Sequence, residues 1–273
     1  MRVAPDVFAD PQALGRQAAE LVADGLERSR LAGRPYLLGC PGGRSAATTY
    51  AALAQLVGRR RLDLGHLVVV MMDDYLVPGP GGHLEHEDDS APHSCIRFGR
   101  EEVVAPLNRA AGRGRGMPPD QLWVPDPAHP DRYDDALAAA GGVDLFLLAS
   151  GAGDGHVAFN APGSPAGSRT RVVSLPDSTR RDNLATFPTF GGRLDAVPGH
   201  GVTVGIDTIV RHSASVLMLV SGPDKGRAAA RLCAATGYDP AWPATVFAAC
   251  ARPRLFLDDA ARRAAAAVTA PVG

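Results

Sequence analysis

The sequence predicts a single α/β domain spanning residues 1–273, with a Rossmann-like, mostly parallel sheet and helices on both faces. Short apolar runs alternate with amphipathic stretches along the whole chain. The apolar runs are hydrophobic on both faces, which is typical of strands in the middle of a parallel sheet. No internal repeat and no linker divides the 273 residues, and this length is sufficient to bury a substantial core.

The first third of the chain predicts two helices and two strands, in alternation. Leu14, Ala18, Leu21 and Leu26 recur at spacings of three and four, which predicts a helix over 11–32. The other segments follow from apolar runs and turn residues: strands at 36–40 and 67–72, and a helix at 45–56 with Ser45 as its N-cap.

The rest of the chain continues the same alternation. The stretch 78–93, rich in Gly, Pro, His and acidic residues, predicts a long loop, and 185–201 predicts irregular structure. Strands are expected at 143–149, 171–175, 202–205, 216–220 and 255–257, and helices at 95–109, at 132–140, after Lys225 and at 258–268.

Composition excludes several classes of protein. The net charge of −1 leaves no excess of Lys and Arg for nucleic-acid binding. No apolar run approaches the ~20 residues of a membrane span, and the first ten residues lack the apolar region of a secretory signal. The four cysteines, which are far apart, indicate reduced thiols and a cytoplasmic protein: Cys40, Cys95, Cys233 and Cys250.

Four predicted strands end in loops with chemically active residues: 42–45, 73–75, 151–156 and 221–225. Because ligands of open α/β sheets bind at the carboxyl ends of the strands, we expect these loops to meet at one edge. Gly42, Gly43 and Ser45 place backbone N–H groups at a helix start, which suits a phosphate, and Lys225 can add a positive charge. An ordinary capped turn and a surface lysine remain the alternatives.

Two of these loops carry groups that can move protons. Asp73 and Asp74 point in different directions, so one of them is expected to face the cleft as a general base. Histidine side chains are suited to proton transfer at neutral pH. His156 follows Asp154, which lies between two glycines. A turn-forming Asp pair and a structural Asp–His pair are the alternatives. The acidic and histidine-rich run 83–89 is interpreted as a solvated loop rather than a metal site.

These motifs together resemble the glucosamine-6-phosphate deaminase/isomerase and 6-phosphogluconolactonase family. Met72-Asp73-Asp74-Tyr75 is similar to Met-Asp-Glu-Tyr of the deaminases, and the run 154–160 is similar to Asp-Gly-His-Ile-Ala-Phe-Asn. Segments 168–171, 203–205 and 221–225 match further family segments in the same order.

The resemblance implies a phosphosugar isomerase that acts on an amino sugar phosphate through an enediol-like intermediate. Asp73 corresponds to the base that moves a proton between C2 and C1, and His156, beside Asp154, to the residue that assists ring opening. Substrate contacts are implied for Gly42, Gly43, Arg44, Ser45, Asp74, Gly155, Asn160 and Lys225. The chemistry implies no metal or organic cofactor, and a homo-oligomer is suggested by the family alone.

Two departures from the deaminase pattern stand out. Ala161 occupies the position of a Glu that tunes the histidine, and Ala185 that of a phosphate-binding Arg, for which Arg180 or Arg181 can substitute. Lactonases usually have Asp-Glu-Arg at 73–75 and Thr-Ala-Ser after Asp-Gly-His, so both motifs favour the deaminase branch. A lactone hydrolase and a non-catalytic sugar-phosphate sensor are the alternative functions.

Overall fold

The larger of two sheets is parallel and has seven strands. The computed structural model describes residues 2–269, apart from the side chains of residues 185, 186 and 269. The strand order is β1-β11-β10-β7-β2-β3-β6, and every neighbouring pair is parallel. The strands are β1 (Pro5–Phe8), β2 (Tyr36–Cys40), β3 (Leu67–Met71), β6 (Leu122–Trp123), β7 (Leu145–Ala149), β10 (Val216–Val220) and β11 (Pro253–Asp258).

Helices cover both faces of this sheet. They are α1 (Pro11–Leu31), α2 (Ala47–Arg60), α3 (Cys95–Phe98), α4 (Ala105–Ala111), α5 (Asp131–Ala139), α6 (Asp177–Thr186), α7 (Ile206–His212), α8 (Gly226–Ala234) and α9 (Asp259–Thr269). Leu38 faces a core shared with α1, α2 and α4, whereas its neighbour Leu37 faces a core shared with α5, α7 and α8. This alternation confirms the predicted fold class, since both faces of the strands are buried.

A second, antiparallel sheet was not predicted. It consists of β4 (Asp73–Pro78), β5 (Leu84–His86), β8 (Arg171–Ser174) and β9 (His200–Thr203), in the order β5-β4-β9-β8. The prediction of a loop over 78–93 is therefore wrong at β5, which pairs with β4. The predicted strands 171–175 and 202–205 correspond to β8 and β9, but they belong to this sheet and not to the parallel one. β5 and β8 are short and partly exposed, so they lack the apolar signature of the parallel sheet.

Two helix predictions also need correction. Ser45 does not cap α2: residues Arg44–Ala46 form a 3₁₀ turn, and the helix begins at Ala47 without a side-chain cap. The first part of the predicted irregular stretch belongs to α6. The predicted helix 95–109 is continuous as α3, a π-helical segment Gly99–Val104, and α4. No described helix is long and apolar enough to cross a bilayer.

Candidate active site

A cavity of about 320 Å³ opens at the carboxyl ends of the central parallel strands. Each of the four predicted loops contributes to its wall, with Ser45, Asp73, His156 and Lys225 among the lining residues. Tyr75 of β4, Asp182 of α6, and Phe159 and Phe187 from loops also line the cavity. The expectation that the four loops meet at one edge is confirmed.

Asp73 is a nearly buried carboxylate in the wall of this cavity. It is 7% exposed, and the Cys95 thiol donates to its Oδ1 at 3.5 Å. Burial raises the pKa of Asp73 to about 7, and the charge of Asp74 adds to this effect, while the Cys95 thiol and His156 oppose it. A carboxyl group with this pKa can both accept and return a proton near neutral pH.

Asp154 and His156 form a hydrogen-bonded pair beside the same cavity. The Nδ1 atom of His156 lies 2.7 Å from Asp154 Oδ1, and the hydroxyl of Thr179 donates to the other carboxylate oxygen at 2.9 Å. Burial by itself raises the pKa of Asp154, but the bonds from His156 and Thr179 outweigh it and hold the pKa well below the usual range. The ionised carboxylate therefore orients the ring, so Nε2 is the nitrogen available for the cavity.

Two glycines permit this compact arrangement. A Cβ on Gly151 would lie 2.3 Å from Nδ1 of His156, so any side chain there would displace the ring. Gly155 has φ +72°, and a Cβ on it would lie 2.2 Å from the ring of Trp242. Gly155 therefore allows the turn to pack directly on Trp242, and its carbonyl accepts a hydrogen bond from Ala244 N–H at 2.8 Å.

Positive charge gathers at the end of the cavity nearest β2 and β10. The Lys225 ammonium donates to Ser150 O at 2.7 Å, and burial lowers the pKa of Lys225 from its ordinary value. Arg44 is exposed, lines the cavity and makes no ion pair with a described carboxylate.

Two arginines were proposed as replacements for the arginine that Ala185 does not supply. Arg181 lines the cavity, whereas Arg180 donates to Leu194 O at 2.6 Å and to Val197 O at 2.9 Å. The Ala185 side chain lies outside the described residues.

Three predicted contact residues lie behind the cavity wall. Asp74 is fully buried, and its Oδ1 accepts from the backbone N–H groups of Tyr75 at 2.9 Å and Cys95 at 2.8 Å. Asn160 is also fully buried and donates to Val157 O and Val204 O, which fixes the turn after His156. Gly155, packed on Trp242, is the third. None of these three residues is part of the cavity lining, although each is next in sequence to a residue near it.

Asp182 is a cavity carboxylate that the sequence analysis did not single out. It comes from α6, one turn after Thr179, and its Oδ2 lies 4.0 Å from His156 Nδ1 and accepts from Gly153 N–H at 3.2 Å. Asp154, His156 and Asp182 place ligand atoms within 4.8 Å of one another, a set that is also compatible with a cation. The run 83–89 forms no comparable set among the residues that the structure describes.

Comparison with known proteins adds the following similarities. Residues 9–256 match the family model of glucosamine-6-phosphate isomerases/6-phosphogluconolactonase. Proteins named glucosamine-6-phosphate deaminase are 38% identical over 219 residues in Streptomyces avermitilis (79% of this chain, 76% of that one) and 34% identical over 257 in Mycolicibacterium smegmatis (93% and 90%).

Solved structures extend the similarity to the fold. A monomeric glucosamine-6-phosphate deaminase has a TM-score of 0.81 at 25% identity, covering 97% of this chain and 100% of its own. A 6-phosphogluconolactonase from Trypanosoma cruzi has a TM-score of 0.64 at 18% identity, covering 96% and 97%, and shares the fold.

Removing the Asp73 charge should stabilise the protein more at high pH than at low pH. A pKa of about 7 in the folded state, above the ~3.9 of an unfolded aspartate, means that stability is lost as pH rises toward 7. Relative to wild type, Asp73→Asn should gain about 2 kcal/mol in unfolding free energy between pH 5 and pH 8.5. Denaturant titration at both pH values measures this gain, with exposed Asp120→Asn as the control. An Asp73→Asn gain equal to that of the control would contradict the burial argument.

Proposed function

The chain belongs to the family of glucosamine-6-phosphate isomerases and 6-phosphogluconolactonases, and from that premise we propose that it isomerises and deaminates an amino sugar phosphate, glucosamine-6-phosphate being the first candidate. One observation carries the proposal. A buried carboxylate with a pKa near neutrality, a His–Asp pair and an anion-binding end share one cavity. The relatives named as deaminases support this branch.

The substrate phosphate is placed at the positive end of the cavity. Gly43, with φ +83°, and the 3₁₀ turn that follows it present backbone to this end, and Ser45 adds a hydroxyl. Arg44 and Lys225 supply the charges that balance a phosphate dianion. Arg44 directly follows the glycine pair, so this end of the cavity carries an arginine although Ala185 cannot supply one.

Ring opening is assigned to His156. The pyranose opens when the O1 hydroxyl loses its proton and the ring oxygen gains one, and a histidine Nε2 facing the sugar can relay that proton. The hydrogen bond from Nδ1 to Asp154 fixes the ring orientation throughout the transfer. The open chain then exposes C1 and C2 to Asp73 on the other wall.

Asp73 performs the isomerisation. Its carboxylate removes the proton from C2, the electron pair forms a C1–C2 double bond, and the C1 carbonyl oxygen takes a proton from water to become the enol hydroxyl. Return of a proton to C1 gives a C2 iminium, and addition of water to C2 with loss of ammonia gives the ketose. The substrate's own carbonyl and iminium hold the electrons, so the chain needs to supply only acid–base groups.

Asp182 is proposed as the second carboxylate of the ring-opening group. Ala161 offers no charge to His156, whereas Asp182 lies 4.0 Å from its Nδ1 and is anchored by Gly153 N–H. Thr179 and Asp182 are three residues apart on α6, and the Thr179 hydroxyl donates a hydrogen bond to Asp154. One face of α6 therefore supports both partners of the histidine.

The direct test is an assay of the purified protein with glucosamine-6-phosphate, following ammonia and fructose-6-phosphate together. We expect equal rates of the two products, and loss of turnover in Asp73→Asn with retained substrate binding, because the amide cannot accept the C2 proton. Hydrolysis of 6-phosphogluconolactone without isomerisation would instead select the lactonase alternative. Thermal stabilisation by the sugar phosphate without turnover would select a sensor.

Asp182→Asn should lower kcat roughly tenfold, a fraction of what general acid–base catalysis contributes. The amide oxygen can still accept from Gly153 N–H, so this variant removes charge while keeping the loop anchored. Asp177→Asn on the same helix, which pairs with Arg180 at the surface, is the matched control and should stay within about twofold of wild type. Steady-state kinetics at neutral pH measure the kcat of both variants relative to wild type. A wild-type kcat for Asp182→Asn would remove Asp182 from the mechanism.

A further inference from the structure

The structure contains a second cavity, of about 240 Å³, at the opposite edge of the parallel sheet. We propose that this cavity binds the phosphate group of a small phosphorylated metabolite. It shares no lining residue with the candidate active site. The proposal therefore stands independently of the proposed function.

The cavity is formed where four parallel strands begin. Tyr36 and Leu145 are the first residues of β2 and β7, Ser215 directly precedes β10, and Arg254 is the second residue of β11. The C-terminal half of α1 forms the remaining wall. β2 and β7 thus run from this cavity to the loops of the candidate active site.

Positive charge dominates the lining. Arg28, Arg34, Arg252 and Arg254 line the cavity, and Asp144 is the only acidic residue among the lining residues described. Both oxygens of Asp144 are engaged, one with Arg34 at 2.7 Å and the other with Leu37 N–H at 3.0 Å. This leaves three exposed guanidinium groups in the lining, those of Arg28, Arg252 and Arg254, without a carboxylate partner among the described residues.

Arg28 and Arg254 make no ion pair with any carboxylate in the described part of the chain. Arg28 lies in the last turn of α1, where the helix dipole stabilises a positive charge. Arg254 lies in a strand, where no helix dipole stabilises its charge. Arg252 is held in place by a left-handed backbone, with φ +46°, and by donation from its Nε to Ala214 O at 2.9 Å. A non-glycine residue in this conformation costs energy that its surroundings must offset.

A buried hydroxyl also faces the arginines. Tyr36 is 3% exposed and lines the cavity, and its hydroxyl makes no hydrogen bond to a described residue. Gly25 provides the space, because a Cβ there would lie 2.6 Å from the Tyr36 hydroxyl oxygen. Burial keeps the pKa of Tyr36 well above its usual range, so the phenol stays protonated and can donate. The phenol is therefore a hydrogen-bond donor in the lining that an acceptor in the cavity can use.

These donors match a phosphate group rather than a neutral ligand. Guanidinium groups bind phosphate oxygens through paired N–H donors, and a phenol adds a further hydrogen bond. The volume beyond the arginines leaves room for a small organic part, bordered by Leu21 and Leu145. A phosphate monoester of low mass fits both properties.

The test uses the Arg44→Ala/Lys225→Ala protein, in which binding at the candidate active site is weakened. Isothermal titration with inorganic phosphate and with glucosamine-6-phosphate should still show one saturable event, with the monoester binding more tightly. Adding Arg28→Ala and Arg254→Ala to this protein should weaken the binding at least tenfold, because two of the three uncompensated charges are lost. Adding Arg30→Ala instead, an exposed residue of α1 that does not line the cavity, should change it less than twofold.

Tyr36→Phe, checked for an unchanged melting temperature, should weaken the same event several-fold, since it removes only the hydroxyl. The absence of saturable binding in the Arg44→Ala/Lys225→Ala protein would overturn the proposal. Equal affinity after loss of Arg28 and Arg254 would do so as well. Binding of inorganic phosphate without binding of the monoester would show that the cavity accepts only the free ion and would contradict a metabolite site.

Discussion

The polypeptide passes from the parallel sheet to the antiparallel sheet with only Met72 between β3 and β4, and the cavity depends on this junction. Met71 and Met72 are fully buried, and Val204 N–H donates to Met72 O at 2.8 Å, which ties β9 to the crossing. Asp73 follows immediately, so its carboxylate lies between two sheets with little access to water. Its raised pKa follows from this burial. The same crossing brings the antiparallel sheet over the strand ends and closes the cavity.

We infer that two charges of the cavity come from elements other than those that the family resemblance implies. The family pattern places a carboxylate at position 161 and an arginine at 185, and this chain has alanine at both. Asp182 approaches His156 from α6, and Arg44 approaches the anion-binding end from the loop after β2. A phosphosugar site needs a ring-opening group with compensating negative charge and a cationic phosphate end, whichever element supplies them.

The sequence was sufficient to predict β2, β3, β7, β10 and β11 of the parallel sheet and the edge at which the site lies, whereas the two edge strands β1 and β6 were not predicted. Buried strands such as β3 and β10 are continuous apolar runs, and the loops that follow them carry the polar residues, so both features are local. The antiparallel sheet was missed although β8 and β9 were predicted as strands, because their pairing with each other and with β4 joins segments that are far apart in the sequence. Asp182 was missed because its approach to His156 depends on how α6 docks. The burial of Asn160 could not be read from the sequence either, because its side chain donates to the backbone carbonyl of the distant Val204.

The central claim is that Asp73 carries a proton between two carbons of one substrate, and solvent exchange tests it most directly. The reaction of glucosamine-6-phosphate is run in deuterated water, and the fructose-6-phosphate formed is examined by NMR at C1. A carboxyl group that exchanges with solvent before returning its proton predicts deuterium at C1 with the wild-type protein, and no such product with Asp73→Asn. Deuterium incorporation by Asp73→Asn at the wild-type rate would contradict the account, because another group would then be the base.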